Sequence, residues 1–429
     1  MTLDSLLEAV RDQDHPAAQW ISANGWPTSR NESWHYAPLK AITTAAGSSS
    51  GSVDGVDGVD GPDAIKDLDI EALLGELPDG IRVVLVNGRY EAELSDVAND
   101  SNLVVDTVGR PEQIPAEEIT DLDGFGALNL LADQDAVRIR VGSPTDQVPT
   151  VVVVHIATDG GTYHPRVDVS CGDNRRLSLV ELYRSVPGTA LVNATTDIDL
   201  GVASELDHLV VVDGAELSAH VTRTHLSLPA SSVVRSATVS LGAGTVRRDV
   251  SADFSGDGAT VSFSGLTIPS SGAHHDTIAT VRHNSSNCVS HQQFASIVPA
   301  NARSSFTGQV VVAKATSGTD ADQQSRNMLL APSARADSRP WLEIHSDEVA
   351  CAHGATVGAL DEEGLFYLRS RGISEDHART MLLNAFASTA AAQLVPEGPI
   401  SDWVNALTST ALGELVTDQR DNQGDSNDA

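Results

Sequence analysis

The chain has 429 residues and a formal net charge of −32, from 59 acidic residues against 27 Lys and Arg. Charge of this sign and size repels phosphate backbones and anionic headgroups, which argues against nucleic-acid and membrane binding and favours solubility. Apolar residues make up 41% but aromatics only 4%, so Val, Leu, Ile and Ala must fill the core, a bias that suits many β-strands better than an aromatic-lined groove.

The N-terminal stretch MTLDSLLEAVRDQDH is acidic and lacks the basic and long apolar regions of a signal peptide. No run approaches the roughly 18 apolar residues of a transmembrane helix. Cys171, Cys288 and Cys351 lie far apart and form no CxxC pair. An odd, sparse set argues for a reducing, cytoplasmic setting and against a self-contained metal cage.

Residues 1–45 read as a helical region, with Leu3, Leu6, Leu7 and Val10 at helical spacing. Residues 46–64 contain the triplet Val-Asp-Gly three times and too little apolar surface to offset ordering entropy, so a flexible linker is expected. A mixed α/β region, 65–150, includes IRVVLVNGRYEAELSD, a hairpin pattern turning at Asn87-Gly88.

Residues 151–372 change texture. Short Val/Thr/Ser-rich runs of four to seven residues recur, punctuated by Gly, Asp or Asn, with almost no helical period. A sandwich of this length needs two domains and a linker, and a propeller needs repeated aromatic signatures. A parallel β-helix with a small-aliphatic interior fits best, although no strict repeat is visible. Residues 373–416 return to helical period. Met381, Leu382 and Phe386 form one apolar face, and Trp403 and Leu407 another, with Trp403 suited to anchor a partner. The acidic tail 417–429 reads as disordered.

Few residues suggest chemistry. Strand alternation puts Cys351 and His353 on one face, roughly 6.5–7 Å apart along the chain, and thiolate and imidazole are suitable iron ligands. Two ligands alone do not complete a metal site. Cys288 and His291 make half a metal site at most. His274-His275-Asp276 lacks a nucleophile in context, and Glu362-Glu363 suit a solvated turn. No GxxxxGK[ST] motif occurs, so no P-loop nucleotide site is expected in this chain.

The run LEIHSDEVACAHGATVGALDEEGLFYLRSRGI, residues 342–373, resembles the signature segment of the SufB/SufD family, and residues 284–330 are similar to the segment before it. The resemblance spans roughly 150–390. Gly354 after His353, and RNESWHYAPL at 30–39, look like SufD rather than SufB. The chain departs from the family at the Val-Asp-Gly linker, at Gly318-Thr319 and at His291.

This resemblance implies a mainly β protein, a right-handed parallel β-helix flanked by helical N- and C-terminal regions. It implies a non-enzymatic scaffold subunit that helps build iron–sulfur clusters and pass them to acceptor proteins. It implies a SufB-like partner met through the β-helix, a SufC-like ABC ATPase on the C-terminal helices, and a transient iron–sulfur cluster at the SufB-like interface. His353 matches the histidine implicated in cluster assembly there, with Cys351 beside it. Flavin binding is left open. The alternatives are a SufB-like subunit of the same complex or a β-helix carbohydrate-active enzyme, which would want a signal peptide and clustered carboxylates.

Overall fold

The computed structural model of the protein describes residues 15–48, 70–97, 103–109, 122–132, 136–142, 148–158 and 160–424. The helical pattern expected at Leu3–Val10 and nearly all of the Val-Asp-Gly segment lie outside them. The body is a parallel β-solenoid flattened into two sheets of ten strands each. From Arg176 onward successive strands alternate between the sheets, so each coil lays one strand on each. One sheet ends at the strand Val349–Ala359 and the other at Arg335–Ile344. The expected parallel β-helix with helices at both ends is therefore present.

The coils begin earlier than residue 151. The strand Ile81–Val86 pairs in parallel with Thr150–Ala157, and Ala136–Val141 pairs with Arg166–Cys171. Val83 and Leu85 enter the same interior as Val151 and Val153, which draws this region into the stack. The hairpin at Asn87-Gly88 forms as its sequence predicts, both residues having positive φ (53° and 81°).

The strands are longer than the expected four to seven residues; most have ten. The apolar runs mark only the part of each strand buried on both faces. In Val233–Gly242, Val234 faces the interior, while Ala237, Val239 and Leu241 face outward under helices.

Coil-to-coil turns supply a second regularity. Asn174, Ala203, Ser231, Gly258, Asn287 and Gly318 occupy one left-handed position in successive coils, with φ of 54–73°. Each donates its N–H to the next turn, from Asn174 N to Val202 O at 2.8 Å through to Gly318 N to Glu348 O at 3.0 Å. Gly318 is suited to it: a Cβ there would lie 2.5 Å from Asn287 Oδ1.

Among the described residues seven α-helices flank the solenoid: α1 (Pro16–Asn24), α2 (Leu39–Ser48), α3 (Ile70–Leu74), α4 (Gly124–Leu131), α5 (Glu362–Ser370), α6 (Glu375–Ala391) and α7 (Pro399–Gly424). Glu362 and Glu363 begin α5 instead of lying in an open turn, because Asp361 Oδ1 accepts from the N–H groups of Glu363 (3.1 Å) and Gly364 (3.0 Å). The segment expected to be disordered from 417 is helical to Gly424, since extending a formed helix requires only one residue to be ordered per new hydrogen bond. Helices α5–α7 cover the outer apolar half of the first sheet, burying Val180, Leu182, Val239, Leu266 and Ile297. Among the described residues no helix is long and apolar enough to cross a membrane.

The segment RNESWHYAPL straps the second sheet. Trp34 is buried, its Nε1 donates to Asp123 Oδ2 (3.0 Å), and Arg247 stacks on its ring at 4.6 Å. Arg223 pairs with the same Asp123 at 2.8 Å. Glu32 pairs with Arg339 on the last strand of that sheet.

Candidate functional site at the open end of the solenoid

Interior-facing positions can be read coil by coil. Cys351 is in register with Ala321, and His353 with Gln323, both 1% exposed. Cys351 and His353 therefore point along the solenoid interior, as alternation predicts. Among the described residues no further coil covers theirs; Cys351 is half-buried and His353 is exposed, with Ala355 and Val357 exposed beside them.

The backbone is open at the same place. Asp320 donates its N–H to Cys288 O (3.1 Å) and is the register partner of Ala350. Alternate residues of a parallel strand turn their N–H and C=O to the same side. Even-numbered residues of Val349–Ala359 therefore bond back into the sheet. Cys351, His353, Ala355 and Val357 turn theirs to the free edge. On the other sheet the free edge is interrupted: Arg335 N bonds back to Ala302 O (3.1 Å), so Pro340 occupies an edge-facing position without an N–H.

Burial and the Asp320 carboxylate both push the Cys351 thiol above its usual range. It is therefore a thiol at neutral pH in the isolated chain, and binding a soft cation would displace the proton. Among the described residues no three His, Cys, Asp or Glu side chains form a metal-holding group. The thiol of Cys351 and the imidazole of His353 are chemically suited to supply two ligands.

The other sequence candidates separate. Cys288 is fully buried, whereas His291 pairs in register with Ser262 and Asp322 on the outward face. His275 points inward, close to Ser240 Oγ (2.8 Å) and Gly244 O (3.1 Å), while Asp276 points outward to Arg247 and Ser305. Trp403 does not await a partner. It is buried, and its Nε1 donates to Glu76 O at 2.7 Å, anchoring α7 to the body. The exposed aromatics of this region are Phe366 and Tyr367 on α5.

Sequence reasoning missed a polar waist inside the solenoid. Glu181 is fully buried and accepts from Thr196 Oγ1 (2.7 Å) and Tyr183 Oη (2.9 Å), with His208 Nε2 at 2.9 Å and His155 Nε2 at 3.5 Å. His155 stacks on Tyr183 at 4.1 Å. Burial favours the neutral Glu181, but the His155 and His208 imidazoles beside it outweigh that effect and hold the carboxyl well below its usual range. Arg248, 1% exposed, adds a second buried charge. The interior is thus not purely aliphatic. The signal was present in LVELY, a charged residue at an inward position of an apolar strand.

Comparison with known proteins supplies the context. A family model described as "SUF system FeS cluster assembly, SufBD core domain" matches residues 154–386. The chain is 30% identical over 408 residues to the iron–sulfur cluster assembly protein SufD of Escherichia coli, covering 92% of each chain. It is 26% identical to an iron–sulfur cluster assembly SufBD family protein of Synechocystis sp., over 90% of this chain and 87% of the other. It is 28% identical to a Mycobacterium tuberculosis SufBD family protein, over 92% and 94%.

Proposed function

The chain belongs to the SufBD family of SUF-system iron–sulfur cluster assembly proteins, and we propose that it is a SufD-type scaffold subunit whose open solenoid end is where a cluster is assembled. It functions in iron–sulfur cluster assembly. The observation that carries the finer reading is the coincidence of Cys351 and His353 with an unpaired strand edge. A SufB-like subunit docks on this end, pairs with the edge of Val349–Ala359 and completes the ligand set. The cluster is cargo, held transiently at the interface and passed to acceptor proteins.

A SufC-like ATPase docks on the C-terminal helices, and its nucleotide cycle acts on the scaffold from there. Phe366, Tyr367 and Met381, exposed by 75%, 55% and 41%, support this placement. Protein interfaces favour such aromatic and Met anchors.

The test is His353→Ala in the complex with the SufB-like and SufC-like subunits, reconstituted anaerobically with iron and sulfide. The expected result is an intact complex that forms less cluster, read from its visible absorption. Full cluster formation by the variant overturns the role of His353.

A further inference from the structure

We propose that Gln323 is a positioning residue for His353, accepting a hydrogen bond from one ring nitrogen so that the other is presented to iron. The inference deepens the reading of His353 as a ligand and rests on it.

Gln323 and Gln292 are inward-facing register partners on adjacent coils, 1% and 0% exposed. Gln323 Nε2 donates to Gln292 Oε1 at 3.2 Å, and Gln292 Nε2 donates to the Gln309 carbonyl at 3.2 Å. Gly308 leaves the pair its space: a Cβ there would lie 2.7 Å from Gln292 Oε1 and 3.0 Å from Gln323 Nε2.

These bonds fix both amides. Reversing Gln292 would set its oxygen against the Gln309 carbonyl, and reversing Gln323 would set two side-chain oxygens together. Gln323 Nε2 is held toward the preceding coil, so its Oε1, on the other limb of the amide, is turned away from it. That oxygen is buried and has no hydrogen-bond partner. A buried acceptor left unmet is costly, which favours any donor within reach.

The next coil offers one. His353 is the register partner of Gln323, on the strand about 4.8 Å further along. Rotation of the exposed imidazole brings a ring N–H to Oε1. A histidine that donates from one nitrogen holds its lone pair on the other, the arrangement that orients metal-bound imidazoles. Gln323 thereby selects the tautomer and aims the free nitrogen out of the solenoid end.

The test is two-bond 1H–15N correlation of full-length chain labelled with 15N-histidine, recorded at mildly alkaline pH. His353 is assigned by its loss in His353→Ala. The expected wild-type result is one dominant His353 tautomer. Gln323→Met, which fills the same volume without an acceptor, should give a mixture, and Gln323→Glu should retain one tautomer. A wild-type mixture overturns the proposal, whatever the variants show. So does an unchanged single tautomer in Gln323→Met. The readout needs no cluster, so it stands apart from His353→Ala in cluster assembly: that experiment can sink the ligand role while tautomer selection is judged on the spectra.

Discussion

Nε2 of His208 lies 2.9 Å from Oε1 of Glu181, and neither side chain has any exposure to solvent. A carboxylate in the middle of a solenoid is held there only because Tyr183, Thr196 and His208 satisfy it, with the His155 imidazole 3.5 Å away. Removing one member of such a buried pair leaves the other without compensation, typically at about 3–5 kcal/mol. Glu181→Ala should therefore lower stability by about that amount in urea unfolding, leaving the exposed end untouched. A loss below about 1 kcal/mol would mean that the network is dispensable.

Acid should act on the same interior. Burial holds the imidazoles of His164, His220 and His283 down at about 4 and that of His275 at about 3. In the unfolded chain they titrate near 6.5. Between these values the unfolded state binds more protons, so stability is complete above about pH 6.5 and declines as pH falls toward 4. Glu181, with its carboxyl held below the usual range, adds a further loss below about pH 4.5. Each pKa unit is about 1.4 kcal/mol, so the four histidines together amount to a loss on the order of 10 kcal/mol. The melting temperature should be flat above about pH 7 and fall steeply between about pH 6 and 4. A flat profile through pH 5 would show that these histidines are protonated in the native state.

Much of this organisation was readable in the sequence, and the limits have physical causes. Alternation placed Cys351 and His353 on one face without any structure. Which coil is last depends on stacking, so their exposure was not readable. The left-handed turn position is filled by Asn, Ala, Ser, Gly, Asn and Gly in turn, which hides the coil period from any search for repeated residues. The partners of Glu181 were not readable, because His155, Thr196 and His208 sit on other strands that only the stacking of coils brings together. For Trp403, helical spacing identifies an apolar face but cannot say whether the body or a partner covers it.

The burial of Trp403 against the body decides how the proposed ATPase surface can be tested. Cutting the chain after Gly372 would uncover Val180, Leu182, Val239, Leu266 and Ile297, and each such side chain contributes roughly 1.5–3 kcal/mol when buried. A truncated chain is therefore expected to lose stability as well as a partner, so point variants are needed. Phe366→Ala with Tyr367→Ala should weaken binding of the SufC-like ATPase at least about tenfold, about 1.4 kcal/mol, with the melting temperature nearly unchanged. Trp403→Ala should instead destabilise the chain by about 3–5 kcal/mol. Undiminished ATPase binding by the double variant in titration calorimetry would move the docking surface elsewhere.

The edge of Val349–Ala359 allows the partner interface to be probed through the backbone alone. Ala352 and Ala355 are both exposed, small and on the same strand, but they differ in parity. The Ala352 N–H turns toward Thr319–Leu329, whereas that of Ala355 turns to the open edge. Proline at 352 removes a ladder hydrogen bond and presses its ring on the neighbouring strand, so it should destabilise the terminal coil. Proline at 355 removes only an edge-facing donor, and the chain already tolerates Pro340 in the equivalent situation on the other sheet. Ala355→Pro should therefore keep a near-native melting temperature, yet lose affinity for the SufB-like subunit by about tenfold or more, because an added strand would find a donor missing and a ring in its path. Both variants are compared by circular dichroism and by calorimetric titration with the SufB-like subunit. If Ala355→Pro binds as tightly as the unmodified chain, the partner does not extend this sheet and must meet the solenoid end through side chains alone.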